Sequence, residues 1–320
     1  MYTQTTADNL SELPTNTFTV QHVPIAKDQV TIVIPVKNEE LAISLVIDEL
    51  FQEGYNNILI VDGYSADQTL QIIEKKKGVT LIQQHGKGKT GAIKTAIENV
   101  TTPYMLILDG DYTYQAKDIQ RLLTHCANYA QIIGVRDRKS ISLIHRFGNW
   151  IITQAFNLLM GTHLSDVCSG MYLLKTDVAK NIELGSKNFA TEVEIAAQTV
   201  VEHEVTEVPI GYRNRMGKAK LSWRNGFEIL SSVFGLARKY SPLLLLSMLS
   251  LLSIIPAAVI LSWVAFSQLA SGVWHSGWAL LGIMLLLFAI QALAVGTLVL
   301  LLKRTEKRII QYIEKTRNYA

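Results

Sequence analysis

Through residues 30–135, short runs of β-branched and other apolar residues alternate with stretches whose apolar positions recur every three or four residues. The runs predict strands at 30–35, 57–62, 79–84, 104–109 and 131–135. The helical spacing predicts helices near 41–53, 66–77, 88–99 and 115–127. This alternation predicts an α/β fold: a mostly parallel, Rossmann-like sheet with helices on both faces. In such sheets ligands gather beyond the carboxyl ends of the strands. The polar residues just after each strand are therefore the first candidates for chemistry.

The pattern changes after residue 242. Residues 243–266 and 278–302 are apolar runs of 24 and 25 residues without a charge. As helices, at about 1.5 Å per residue, each would cross the roughly 30 Å hydrocarbon core of a bilayer. Two buried core helices are the other reading, but uncharged runs of this length are rare in soluble cores. Arg238 and Lys239 precede the first run; Lys303, Arg304, Lys307 and Arg308 follow the second; the link 267–277 has no charged residue. The positive-inside rule then predicts a transmembrane hairpin with both flanks in the cytoplasm. Trp263, Trp274 and Trp278 fall where interfacial aromatics belong, and Pro256 stands inside the first run. Just upstream, Phe227, Leu230, Val233, Phe234 and Ala237 follow helical spacing among Arg224, Glu228, Arg238 and Lys239. That amphipathic segment suits a helix lying on the membrane surface, and equally one facing a core.

The expected organisation is thus a polar arm at 1–29, a catalytic domain at 30–223, an amphipathic interfacial helix at 224–240, the hairpin at 243–302 and a basic tail at 303–320. The arm lacks the apolar segment of a signal peptide, which predicts that the globular part stays cytoplasmic. Mean hydropathy is +0.21 and net charge +3, with a pI near 8.7. Such a mild charge gives no footprint for nucleic acid. Cys126 and Cys168 are too few for a disulfide framework or a zinc site and are expected to be structural thiols. The histidines show no metal-ligand spacing.

Four polar clusters end the first four strands: Pro35 to Glu40 with Asn38 and Glu39; Asp62, Ser65 and Asp67; Lys87, Gly88, Lys89 and Thr90; and Asp109, Gly110 and Asp111. The third is not a nucleotide P-loop, because Gln83 stands where that motif needs its first glycine. It suits a phosphate or sugar hydroxyl at a helix start, or a surface turn. Two carboxylates closing an apolar strand are costly unless they meet cations, and a divalent metal bridging two phosphates would account for them.

In this order the motifs resemble those of family 2 glycosyltransferases of the GT-A fold. More narrowly they are similar to the polyprenol-phosphate sugar synthases, such as the dolichol-phosphate mannose synthases. The resemblance covers about residues 30–242, and the hairpin fits the membrane-bound members. It implies donor contacts from Pro35, Asn38, Glu39, Asp62, Ser65, Asp67, Lys87, Asp109, Gly110 and Arg213. It implies Mg²⁺ or Mn²⁺ held at Asp109 and Asp111, beside Thr113. Leu164, Asp166, Ser169 and Gly170 resemble the segment near sugar and acceptor, and Arg213, Arg215, Lys218 and Lys220 the late basic stretch. Two positions depart from the pattern. Asp62 is followed by Gly63 rather than a second aspartate, which leaves open the carboxylate that meets the base. Thr113 stands where the mannose synthases often carry glutamine, so GDP-mannose is not implied.

The implied reaction is inverting transfer of one sugar from a nucleotide-diphosphate sugar to polyprenyl (dolichyl) phosphate, for glycan or glycoprotein assembly. Both reactants are anionic; at about 4 Å and an effective dielectric of about 20, each unit pair costs about 4 kcal/mol. The metal would offset the leaving diphosphate. Arg136, Arg146, Ser169, Arg215, Lys218 and Lys220 are candidates for the acceptor phosphate. Asp111, Asp166 and Glu192 are the candidate catalytic carboxylates. Glu192 could instead complement a helix dipole, and Thr191 with Glu194 reads as a capping box. Tyr112 and Tyr114 suit base or sugar contact, or turn packing. Two alternatives compete with this reading. A processive polysaccharide synthase usually carries Gln-x-x-Arg-Trp and more spans, whereas this chain has Trp223 and Arg224 after Lys220 and only two spans. A non-catalytic membrane scaffold with a nucleotide-sugar-binding fold is the other. The expected partners are a UDP- or GDP-sugar, a lipid phosphate and the bilayer, with a hairpin surface suited to a homo-oligomer.

Overall fold

The computed structural model describes residues 25–137, 141, 143–185, 190–217, 229–235 and 242–317. Seven strands form one sheet: β1 (Val30–Val36), β2 (Ile58–Asp62), β3 (Val79–Gln83), β4 (Tyr104–Ile107), β5 (Gln131–Arg136), β6 (Tyr172–Lys175) and β7 (Val205–Ile210). Their spatial order is β3-β2-β1-β4-β6-β5-β7. All neighbours pair in parallel except β6, which runs antiparallel to β4 and β5. The six like-directed strands therefore end at one edge, and the reversed strand brings its amino end to that same edge.

Alternation along the strands fills both faces. Val33, Leu59, Val61, Met105 and Ile107 point to one side. There they meet α3 (Gly88–Asn99), α5 (Leu143–Met160) and α7 (Thr191–Glu202) through Ile93, Ala96, Phe156, Val193 and Ala197. Ile32, Ile34, Ile60 and Leu106 point to the other. They meet α1 (Ile43–Gln52), α2 (Thr69–Glu74) and α4 (Ile119–Leu123) through Ile47, Leu50, Ile73 and Leu122. The short α6 (Thr176–Asn181) follows β6.

The predicted elements up to residue 135 are all present; the helix at 88–99 has the expected bounds and the other three are shorter. The helix expected at 66–77 starts only at Thr69, because Asp67 accepts the Thr69 N–H and hydroxyl and holds the turn before it. The one expected at 115–127 begins as a 3₁₀ turn, Ala116–Asp118, and continues as α4. β4 stops at Ile107, so Asp109 and Asp111 lie in the loop beyond it. The capping box is a correction. Thr191 is already helical, its hydroxyl pairs with Thr90, and Glu194 accepts the Gly185 N–H instead.

The two apolar runs form α8 (Pro242–Ser271) and α9 (Ser276–Arg317), packed on each other. Gly282 allows close approach: a β-carbon there would lie 2.8 Å from Leu261. At the bend, Trp263 stacks on His275 with ring centroids 4.7 Å apart. Both helices are long and apolar enough to cross a membrane, and only 17% and 28% of their apolar windows are buried. Core helices of a soluble protein would be mostly covered, so an apolar surface of this extent points to a membrane. The foot of α8 packs against α5, and Met248 rests on the core. In the segment expected to be amphipathic, residues 229–235 are helical. Ile229 and Val233 join the core while Phe234 is exposed. Residues 224–228 and 236–240, like the arm at 1–24, lie outside the described residues.

Candidate active site

Among the described residues three non-glycine residues adopt left-handed backbone, and all three sit in turns at the same sheet edge. Asn38 (φ 53°) follows β1, Tyr64 (φ 61°) follows β2 and Tyr112 (φ 64°) follows β4. Such conformations cost of order 1 kcal/mol or more and persist where surrounding contacts over-determine them. Those contacts are visible. The Asn38 N–H donates to Ser65 Oγ at 2.9 Å, and Asn38 Oδ1 accepts the Ala66 N–H at 2.7 Å. The Glu39 N–H donates to Thr69 Oγ1, and the Glu40 N–H reaches Asp67. Asp62, fully buried, accepts from Ser65 and Gln83. It therefore shapes the β2 turn instead of offering a carboxylate to the cleft. Pro35 lies within β1 itself.

The loop after β4 carries the acidic pair. Gly110 fits against β1, where a β-carbon would come 2.8 Å from Val36. Asp109 lies so close over Gly170 that a β-carbon there would be 2.0 Å from Asp109 Oδ2. Gly170 is held in turn by its N–H donating to the Tyr114 hydroxyl at 2.7 Å. Asp111 is nearly buried. Burial and the neighbouring Asp109 charge raise its carboxyl above the usual range, against the pull of Thr113 and Arg215. Thr113, expected beside a metal, donates its hydroxyl to Asp111 Oδ1 at 2.5 Å. Its contact with a metal site runs through that carboxylate.

Cations surround this pair. Arg215 donates to Asp111 Oδ2 at 2.9 Å and to Glu39 Oε1 at 2.5 Å. Its segment is fixed by Arg213 N–H to Thr113 O and Met216 N–H to Asp111 O. Arg213 forks onto Glu49 at 2.7 and 2.8 Å and covers the Tyr112 ring at 4.4 Å. From α3, the Lys89 ammonium lies 2.5 Å from Asp109 Oδ1 and also pairs with Glu192. Burial pulls Lys89 down, but those two carboxylates outweigh it and hold the group well above its ordinary value. Glu192 is pushed up by its own burial. Lys87, expected to bind donor, is exposed at the helix start.

Beyond β5, Arg136 forks onto Asp166, with Nε and one terminal nitrogen each at 2.7 Å. Glu207 on β7 fixes this turn by accepting the N–H groups of Ser165 and Asp166. Arg146 shares a small cavity with Arg136, Asp166 and Trp150. Arg146 and Trp150 also line, with Leu143 and Phe147, a second, open cavity of about 380 Å³. Ser169, a candidate for the acceptor phosphate, is a correction: it is buried, with its hydroxyl against the backbone of Met171. Lys218 and Lys220 lie outside the described residues. Cys126 and Cys168 are free; burial pushes Cys126 up to about 11.

One edge thus gathers Glu39, Asp109, Asp111, Asp166, Glu192, Arg136, Arg213 and Arg215. Sequence reasoning missed Glu49 and Glu207, took Lys87 rather than Lys89 from the third cluster, and left Tyr114 between sugar contact and turn packing. The partners of Lys89, Glu49, Glu207 and Tyr114 are 20 to 164 residues away in sequence. Among the described residues no three His, Cys, Asp or Glu side chains are grouped to hold a metal alone. The Asp109–Asp111 pair nevertheless fits a hard divalent ion that takes further oxygens from phosphate and water. The mutual repulsion that raises Asp111 is what such an ion would relieve.

Residues 31–182 match the model of the family described as glycosyl transferase family 2. The chain belongs to that family. This glycosyltransferase is 29% identical to glycosyltransferase AglJ of Haloferax volcanii, over 90% of this chain and 99% of that one. It is 28% identical to the dolichyl-phosphate hexose transferase of the same organism, over 61% of this chain and 87% of the relative. Among solved structures it resembles glucosyl-3-phosphoglycerate synthase from Mycobacterium tuberculosis, crystallised with Mn²⁺, UDP-glucose and phosphoglyceric acid. The TM-score is 0.55 at 13% identity, covering 65% of this chain and 79% of that chain. The fold of the glycosyltransferase is accordingly GT-A, with the apolar hairpin added at its carboxyl side.

Proposed function

We propose that the chain is a membrane-anchored, inverting glycosyltransferase that moves one sugar from a nucleotide-diphosphate sugar to a polyprenyl phosphate. The observation that carries this reading is a juxtaposition at one sheet edge: the Asp109–Asp111 pair and the Arg136–Asp166 pair both lie within electrostatic reach of Tyr114 and Tyr212. Arg136 and Arg146 share a cavity there, and Leu143, Phe147 and Trp150 add apolar surface on α5, the helix against which the foot of the hairpin packs. The relatives that act on lipid phosphates support the choice of acceptor. The basic residues flanking the apolar runs support a cytoplasmic catalytic domain and cytoplasmic termini.

A phosphate oxygen of the acceptor attacks the anomeric carbon as the bond to the diphosphate breaks, and the nucleoside diphosphate leaves. A lipid monoester is largely ionised near neutral pH, with a second pKa of about 6, so the attacking oxygen needs no strong base. That suits Asp166 and Glu192, whose carboxylates are engaged by Arg136 and Lys89. Asp109 and Asp111 would hold Mg²⁺ or Mn²⁺, which supplies charge neutralisation at the leaving diphosphate. Asn38, Ser65 and Asp67 order the donor turns. Arg213 and Arg215 hold the loop of Asp111 against the donor side, and Arg136 and Arg146 receive the acceptor phosphate. The full chain in detergent, given Mg²⁺ or Mn²⁺, a polyprenyl phosphate and labelled UDP-glucose, UDP-N-acetylhexosamine or GDP-mannose, should yield a lipid-linked monosaccharide detectable by mass spectrometry. Absence of product with every donor overturns the reading; a polymer would instead favour a processive synthase.

A further inference from the structure

In the reaction just described Lys89 only engages Glu192, yet it also reaches the acidic loop at Asp109. It projects from the first turn of α3, is largely buried, and divides one ammonium between Asp109 Oδ1 and Glu192. Lys89 and Arg215 together serve four carboxylates, those of Asp109, Glu192, Asp111 and Glu39. Among the described residues one ammonium is divided between Asp109 and Glu192, which leaves that pair short of positive charge, and partly buried carboxylates of this kind favour any cation that can enter. Lys89 and a divalent ion at Asp109 would compete for the same oxygen and repel each other. Glu192, 8% exposed on α7, offers the ammonium a second partner away from the acidic loop. Among the described residues the buried Tyr172 hydroxyl has no hydrogen-bond partner, and it lies within electrostatic reach of Glu192, Lys89 and Asp109. It is a donor in reserve for whichever carboxylate the lysine leaves.

We propose that Lys89 is a resident counter-cation of the metal site: a positioning residue that neutralises Asp109 in the empty enzyme and withdraws to Glu192 when a divalent ion arrives. This rests on the metal-assisted reading above. Its consequence is that the empty enzyme binds free divalent ions weakly, and takes up metal together with the donor diphosphate. Lys89 acts through Asp109 and Glu192, so the pair sets metal affinity without touching the reacting atoms.

The test is Mn²⁺ titration of the full chain in detergent, followed by the electron paramagnetic resonance signal of free Mn²⁺, with and without UDP. Without nucleotide, Lys89→Met should bind Mn²⁺ at least about ten-fold more tightly than the unaltered chain, and Lys89→Arg should match it within about two-fold. Glu192→Gln, which removes the retreat, should bind about ten-fold more weakly. A merely structural role predicts losses in both Lys89→Met and Glu192→Gln, not opposite signs. Unchanged or weaker binding by Lys89→Met overturns the proposal. If that variant does not fold, unchanged or tighter binding by Glu192→Gln overturns it. Mn²⁺ binding with unaltered affinities removes only the role of Lys89. No Mn²⁺ binding by any form, even with UDP, removes the metal reading and this proposal together, leaving the acceptor assignment untouched.

Discussion

The two sides of the cleft are held together differently. On the side of β1 and β2, the turns are joined largely by short hydrogen bonds from backbone N–H groups to Ser65, Thr69, Asn38 and Asp67. On the other side, Arg136–Asp166, Arg215–Asp111 and Lys89–Glu192 are partly or wholly buried ion pairs. The first arrangement needs no ligand to be complete. The second holds charges that an anionic ligand or a cation can re-partner, and breaking a buried pair without such a partner costs about 3–5 kcal/mol. One side is a preformed cradle, whereas the other is a set of exchangeable charges.

The sharpest way to break that contrast is at the centre. Asp111→Asn removes a carboxylate from the acidic pair, leaves Arg215 with Glu39 alone and takes the anionic partner from Thr113. Sugar transfer in a single-turnover assay should fall by about 10³-fold, the equivalent of several kcal/mol of lost charge stabilisation. A full rate would reject the acidic pair as the chemical centre. Next is Gly170→Ala. Its new methyl would collide with Asp109. A displacement near 1 Å should lower turnover by about 10²-fold, with little change in melting temperature.

Glu207→Gln tests the exchangeable side alone. It weakens the hold on the Ser165 and Asp166 N–H groups, hydrogen bonds to a charged acceptor worth about 1.5–3 kcal/mol. The KM for lipid phosphate should rise about ten-fold while the KM for donor stays constant; a change in donor KM alone would contradict the division. The smallest effect is expected from Ser65→Ala on the preformed side. Loss of the Asn38 latch, about 1 kcal/mol, together with the hydroxyl's bond to Asp62, should raise donor KM at least about five-fold and leave acceptor KM unchanged.

The outline of the fold was legible because its signals are local. Period-two and helical spacings up to residue 135 predicted the observed strands and most helix positions, and an uncharged apolar run announces itself by length alone. The reading stopped short of β6, which has four residues and reverses direction, and of β7, whose run contains Pro209. The clusters after β1, β2 and β4 were legible because a parallel sheet sends successive strand ends to one edge. Lys87 and Lys89 could not be separated. They stand two residues apart at a helix start, and the fold turns one outward and the other onto Asp109.

By itself, then, the sequence determined the alternating α/β domain, the apolar hairpin and the candidate acidic loop, because each is written in neighbouring residues. Only the tertiary structure decided which charges meet. Asp166 with Arg136, Glu49 with Arg213 and Lys89 with Glu192 join segments 30, 164 and 103 residues apart. Ion pairs form where the sheet brings side chains together, and nothing in the local pattern of either segment specifies its partner.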